Sequence, residues 1–231
     1  MRPLLITATA IAAALLAGCQ PRWATILDRV GCGPPCWRGI VPGQTSVEDT
    51  IEILANTAAV APSSVKTVAP WGVFSHRVVF DLRSGVSAEA SFLDGRAGVI
   101  SFNDRLGLTF EQATAVLGQP ELVQTDMTLC SPPIPLPGDA VCTLVVALTP
   151  SAGFRIHALI PGDPSQTELG PNTTIESIAF WTPSDFQTLI AARELAILHD
   201  PSQDPLELMH QWSGYGKVWE LYPPIPPTET E

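Results

Sequence analysis

The sequence predicts an α+β fold: two tandem helix-plus-antiparallel-meander units followed by a C-terminal helix. Three observations carry that prediction. Two segments, residues 45–54 and 109–117, open with a hydroxyl residue followed three places later by Glu or Gln, and then show apolar residues at helical spacing. Each is followed by runs that alternate apolar and polar side chains, the period of a half-buried strand. Two of those runs are joined by Asp94-Gly95, a two-residue turn suited to positive φ at both positions.

In the first unit, residues 39–103, Thr45 and Glu48 form the capping box, and Val47, Ile51 and Leu54 the apolar stripe. Strands are expected over residues 73–81, 86–93 and 97–102. Phe74, His76, Val78 and Phe80 share one face of the first, and Val86, Ala88, Ala90 and Phe92 one face of the second. In the second unit, residues 104–181, Thr109 and Gln112 cap the helix and Phe110, Ala113 and Leu117 form its stripe. Gly118 and Pro120 stop it. Strands follow over residues 121–129, 141–148, 154–160 and 175–181, with a turn at Ser151-Ala152-Gly153. Pro132, Pro133, Pro135 and Pro137 keep residues 131–140 out of any ladder and make them a surface loop.

Residues 182–221 form a C-terminal extension. Thr182-Pro183-Ser184-Asp185 starts a helix whose stripe is Phe186, Leu189, Ile190 and Ile197, running to Leu198. Residues 205–211 are expected to be a short further helix and residues 212–221 extended. Residues 222–231, rich in proline, read as a disordered polyproline-like tail.

The chain begins with Arg2, then an apolar run from Leu4 to Leu16, then Leu16-Ala17-Gly18-Cys19. The run is shorter than the roughly 20 residues a spanning helix needs. This arrangement resembles the leader and lipobox of bacterial lipoproteins. The resemblance implies removal of residues 1–18 as a signal peptide, acylation of Cys19, and attachment to the outer side of a cell membrane through the lipid. The expected location is therefore extracytoplasmic, with inner and outer membrane both open. Residues 19–38 would be a tether ending in a small cysteine loop.

Loss of Arg2 with the leader takes the formal charge from −11 to −12. Such acidity excludes a phosphate backbone as partner and gives no polybasic grip on lipid. Attachment then rests on the acyl chains, at roughly 0.8 kcal/mol per buried methylene. Five cysteines become four once Cys19 carries lipid. Four allow three pairings, of which Cys32–Cys36 with Cys130–Cys142 closes the shortest loops. Gly31-Cys32-Gly33-Pro34-Pro35-Cys36-Trp37 differs from the thioredoxin Trp-Cys-Gly-Pro-Cys in spacing and in the place of its tryptophan. A structural disulfide is expected there, with a redox pair or a metal site as the alternatives.

No nucleophile elbow, zinc-protease helix, phosphate loop or dinucleotide fingerprint is present. His76 and His157 alternate with apolar neighbours as sheet histidines. His199-Asp200 with Asp204 and His210 matches no zinc template. Asp81, Glu89, Asp94 and Asp104 read as solubilising carboxylates at strand ends and turns. No cofactor or metal is expected. Of six tryptophans, Trp181 is expected in the core, Trp23 and Trp37 near the tether, and Trp71, Trp212 and Trp219 at element edges, where they make a candidate binding surface.

Gly107-Leu108-Thr109-Phe110-Glu111-Gln112 with Leu117-Gly118-Gln119-Pro120, downstream of a lipobox, resembles the BamE (SmpA/OmlA) family of small bacterial lipoproteins. The likeness is looser over residues 40–54, where the Gly-x-Pro ending is missing. Two such units in tandem also resemble the duplicated architecture of the β-lactamase inhibitor protein family. These resemblances imply a non-catalytic binding or assembly module of the cell envelope, with another envelope protein as partner. The alternative is an envelope hydrolase or metal-dependent enzyme built on the scattered His and Asp residues.

Overall fold

The computed structural model describes residues 23–28, 32–103, 106–130, 141–195 and 204–223. The leader, Cys19, the proline-rich loop 131–140, Asp104, Ile197, His199-Asp200 and the tail from residue 224 lie outside the described residues. The α+β class holds. A four-residue helix α1 (Ala24–Leu27) precedes α2 (Val47–Asn56) and strands β1 (Lys66–Val68), β2 (His76–Asp81), β3 (Ser87–Leu93) and β4 (Arg96–Asn103). Then come α3 (Phe110–Leu117), β5 (Leu122–Leu129), β6 (Val141–Thr149), β7 (Phe154–Pro161), β8 (Glu168–Leu169) and β9 (Ile175–Trp181). The chain continues with α4 (Phe186–Ala191), β10 (His210–Gln211), β11 (Gly216–Lys217) and α5 (Val218–Leu221).

The two meanders are contiguous. Nine strands form one antiparallel sheet in the order β1-β2-β3-β4-β9-β7-β6-β5-β10, joined where β4 pairs with β9 from Val99↔Trp181 to Phe102↔Ile178. Strand alternation sends one set of side chains to each face. The inner face buries Val78, Phe80, Ala90 and Phe92 from the first half, and Val145, Phe154, Ile156 and Ile178 from the second. They pack in one cluster with Leu54 of α2 and with Phe110 and Ala113 of α3. The outer face has its own smaller core. There Phe186, Leu189 and Ile190 of α4 cover Val99, Val146, Leu148, Ala179 and Trp181.

Both helix starts follow local chemistry, with one change of register. Thr109 and Gln112 make the full capping box of α3, and Gly118 at φ 97° ends it. On α2 the cap is Ser46, whose hydroxyl accepts from the Asp49 amide at 3.1 Å. Thr45 instead accepts from the Val41 amide at 2.8 Å. The register change also turns the stripe: Thr50 and Leu54 are buried, while Ile51 faces solvent. Asp94 and Gly95 both take positive φ as their hairpin requires. At the other turn a Cβ on Gly153 would overlap the Trp181 carbonyl oxygen.

Several expectations are corrected. Phe74 precedes β2, bridging back to Trp71, and belongs to the outer-face core, so it does not share a face with Val78 and Phe80. His76 is exposed. The segment read as a tether is packed: Trp37 is buried, stacks on Phe80 at 5.6 Å between ring centres, and donates through Nε1 to the Thr25 carbonyl. Helix α4 ends at Ala191, followed by Arg193 in the left-handed region, well before Leu198. Residues 205–208 form a single 3-10 turn capped by Asp204, and residues 218–221 are helical. Tyr222 is buried in the main core, not in a tail; its hydroxyl donates to the Gly214 carbonyl at 2.7 Å.

The chain from 210 to 223 thus straps back along the inner face, where Trp212 stacks between Phe110 and Tyr222. Disulfides join Cys32 to Cys36 and Cys130 to Cys142, the latter bracketing residues 131–140. No helix among the described residues is long and apolar enough to cross a membrane.

Candidate functional site

The two faces of the sheet are covered unequally. Among the described residues, helices meet the inner face along both halves, whereas α4 covers the outer face only around β4, β9 and β6. Over β2 and β3 the outer positions Arg77, Val79, Ser87 and Glu89 stay half-exposed between fully buried inward neighbours. An antiparallel sheet tolerates one solvated face, provided its side chains are polar or paired.

Here they are paired. The register sets Val79 opposite Glu89 and Arg77 opposite Ser91, so Arg77 reaches Glu89 on the diagonal. It binds both carboxylate oxygens, Nε to Oε1 at 2.6 Å and Nη2 to Oε2 at 2.5 Å, while Ser91 Oγ donates to Oε1 at 2.5 Å. Burial pushes the Glu89 carboxyl up, but the hydrogen bonds from Arg77 and Ser91 outweigh it and hold Glu89 below its ordinary value. The same hydrogen bond, more than burial opposes it, raises Arg77.

Arg155 and Glu194 close the end of this strip, joined through the Glu194 backbone and by the attraction of their side-chain charges. Arg155, on the outer face of β7, donates Nη1 to the Glu194 carbonyl at 2.7 Å. Burial lowers its pKa to about 10 against the opposing charge of Glu194, so it stays protonated at neutral pH. Burial raises the Glu194 carboxyl, while the Val73 amide, Arg155 and Arg77 draw it back. Glu194 also sits against Gly72, where a Cβ would overlap its carboxylate. That contact ties it to the turn Trp71-Gly72-Val73-Phe74, closed by the Phe74 amide on the Trp71 carbonyl at 3.0 Å.

These groups line a cavity of about 410 Å³, walled by Trp71, Phe74, Val99 and Ser101 as well as by the two Arg–Glu pairs. Trp71 stands at its mouth with 68% of its surface exposed. A smaller depression of about 280 Å³ continues along the strip past Lys66, Val79, Ser87 and Asn103. Chemically the cavity offers fixed donors and acceptors. Ser91 faces a carboxylate that Arg77 already holds with two bonds, which makes Glu89 a weak proton acceptor.

The sequence singled out Trp71, Trp212 and Trp219 together, and the structure separates them. Trp71 lines the outer-face cavity, while Trp212 and Trp219 pack against the main core on the inner face. His157 lies on the outer side of β7; burial first, and the charge of Arg155 second, hold it neutral. His210 contacts the Pro223 carbonyl at 2.7 Å. Among the described residues no three His, Cys, Asp or Glu side chains come together as a metal site. Glu89 was expected at a strand end but stands mid-strand, in the Arg77 pair. Arg77, Ser91, Arg155 and Glu194 carried no motif. Their only signal was a charged side chain (Arg77, Arg155) or a hydroxyl (Ser91) at an outward position of a predicted strand, and for Glu194 there was none. No protein-family model, characterised protein or solved structure matches the chain.

Proposed function

We propose that the protein is a lipid-anchored, extracytoplasmic, non-catalytic binding or assembly module of the cell envelope, built from two tandem helix-plus-meander units. The lipobox ending at Cys19 supports the anchor, and two disulfides suit an oxidising compartment. The observation that carries the binding role is the outer face of β1–β3, left open by the described residues, where Arg77 and Glu89 neutralise each other and Trp71 stands in solvent. Tryptophan and arginine dominate interaction hot spots, and the two-bond pairing of Arg77 with Glu89 offsets part of the cost of taking those charges out of water. The partner is another envelope protein, docked along the strip that includes Ser87 and Asn103.

The test has two arms. Mass spectrometry should find a native N-terminus at Cys19 carrying acyl chains, and Cys19→Ala should move the protein out of the membrane fraction. A photo-crosslinker at Asn103 should then capture one envelope protein in stoichiometric amount, and Ser87→Arg should abolish the capture. An unmodified Cys19 sinks the anchor; absence of capture, or capture indifferent to Ser87→Arg, sinks the docking face.

A further inference from the structure

We infer that the cavity beneath Trp71 is a saccharide subsite that takes a neutral sugar ring. The inference rests on reading the uncovered outer face as a ligand surface and names what one end of it binds. With both carboxylates ionised, Arg77, Arg155, Glu89 and Glu194 cancel. A floor without net charge exerts little pull on a phosphate, a carboxylate or a metal ion. It nonetheless keeps hydrogen-bonding groups for a ligand: beyond its two bonds to Glu89 the Arg77 guanidinium carries three further N–H groups, and Ser101 adds a hydroxyl to the lining. A vicinal diol, each hydroxyl able to donate and to accept, is the ligand chemistry that matches such groups, and hydrogen bonds to charged partners are the stronger kind.

The aromatic wall completes the match. Trp71 is two-thirds exposed above this polar floor, and an indole face packs well on the C–H face of a pyranose while its rim stays wet. Its backbone is held before any ligand arrives: the turn closes through the Phe74 amide, and the Val73 amide binds the Glu194 carboxylate. Preorganisation of that kind lowers the ordering cost of binding. At about 410 Å³ the cavity falls within the range of small-ligand sites and suits one or two sugar rings of a longer glycan.

The experiment uses the full-length protein in a detergent without a sugar head group. Calorimetric titration is made with the β-1,4 tetramers of glucose and of N-acetylglucosamine, the α-1,4 tetramer of glucose, and inorganic phosphate. Saturable micromolar-to-millimolar binding of at least one tetramer is expected. Trp71→Ala should weaken it by about tenfold or more, Trp71→Phe by less, and Ser87→Arg should leave it intact. Trp71 lies in solvent, so its removal leaves the fold in place; an unchanged circular dichroism spectrum checks this. No binding by any tetramer, equal binding by Trp71→Ala, or displacement of the sugar by phosphate overturns the subsite. If capture at Asn103 survives that failure, the docking face stands without the sugar; if both are lost, the face itself is refuted.

Discussion

At the scale of single residues, the outer face owes its character to which charges are matched. Arg77 and Glu89 are joined by two bonds, and Ser91 gives a further hydrogen bond to Oε1, the oxygen that Arg77 Nε already holds. His157 is the unmatched case on the same face. Its pKa lies well below 6.5 because burial, then the charge of Arg155, disfavour the imidazolium. The unfolded chain binds that proton near 6.5 and the folded chain does not. Its contribution is therefore complete above about pH 6.5 and is lost as pH falls, by up to about 1.4 kcal/mol per pH unit. Urea midpoints measured against pH should show this acid slope, and His157→Gln should flatten it. Glu89 acts in the same direction but only below its ordinary 4.5, so the slope between about pH 6.5 and 4.5 belongs to His157 and not to Glu89. An acid slope unchanged in His157→Gln would place the proton elsewhere. His157 was legible in the sequence as a sheet histidine; its depressed pKa was not, because the burial comes from neighbours distant in the chain.

At the scale of elements, local chemistry decided most starts and stops. Thr109 accepts from the Gln112 amide while Gln112 Oε1 accepts from the Thr109 amide at 2.9 Å, so Thr109→Ala should cost about 1 kcal/mol by denaturant unfolding. Ser46→Ala should cost a similar amount through α2, since Ser46 caps that helix. Loss from Thr45→Ala would instead come from the Val41 turn, and leave amide exchange at the start of α2 unchanged. Thr45 and Ser46 are adjacent hydroxyls, each with an acidic residue three places on, so the sequence offered two registers and packing chose between them. Asp94-Gly95 left no such choice, because few residue pairs accept positive φ twice. The early end of α4 had no signal. It turns on Arg193, a residue that seldom marks a helix end, with the Glu194 amide on the Leu189 carbonyl at 3.0 Å.

At the scale of the whole molecule, pairing of β4 with β9 joins the halves, and Phe102 meets Phe180 across the join at 6.2 Å. Cutting there would expose a central strand edge and open the shared core. Residues 19–103 alone should show no dispersed amide spectrum and should aggregate, while the whole chain unfolds in one transition. A folded, monomeric fragment would contradict this. The sequence by itself determined the two capped helices α2 and α3, the seven long strands to within a few residues, and the apolar face of most of them, because caps, turns and alternation act within a few residues; for the cysteines it favoured the shortest loops among three pairings. Only the tertiary structure decided that the two meanders share one sheet, that Trp37 and Tyr222 are core, and that Arg77, Glu89, Arg155 and Glu194 meet under Trp71. Those outcomes depend on which strand edges pair and which face each covering segment reaches, and such long-range contacts leave no periodic trace along a single chain.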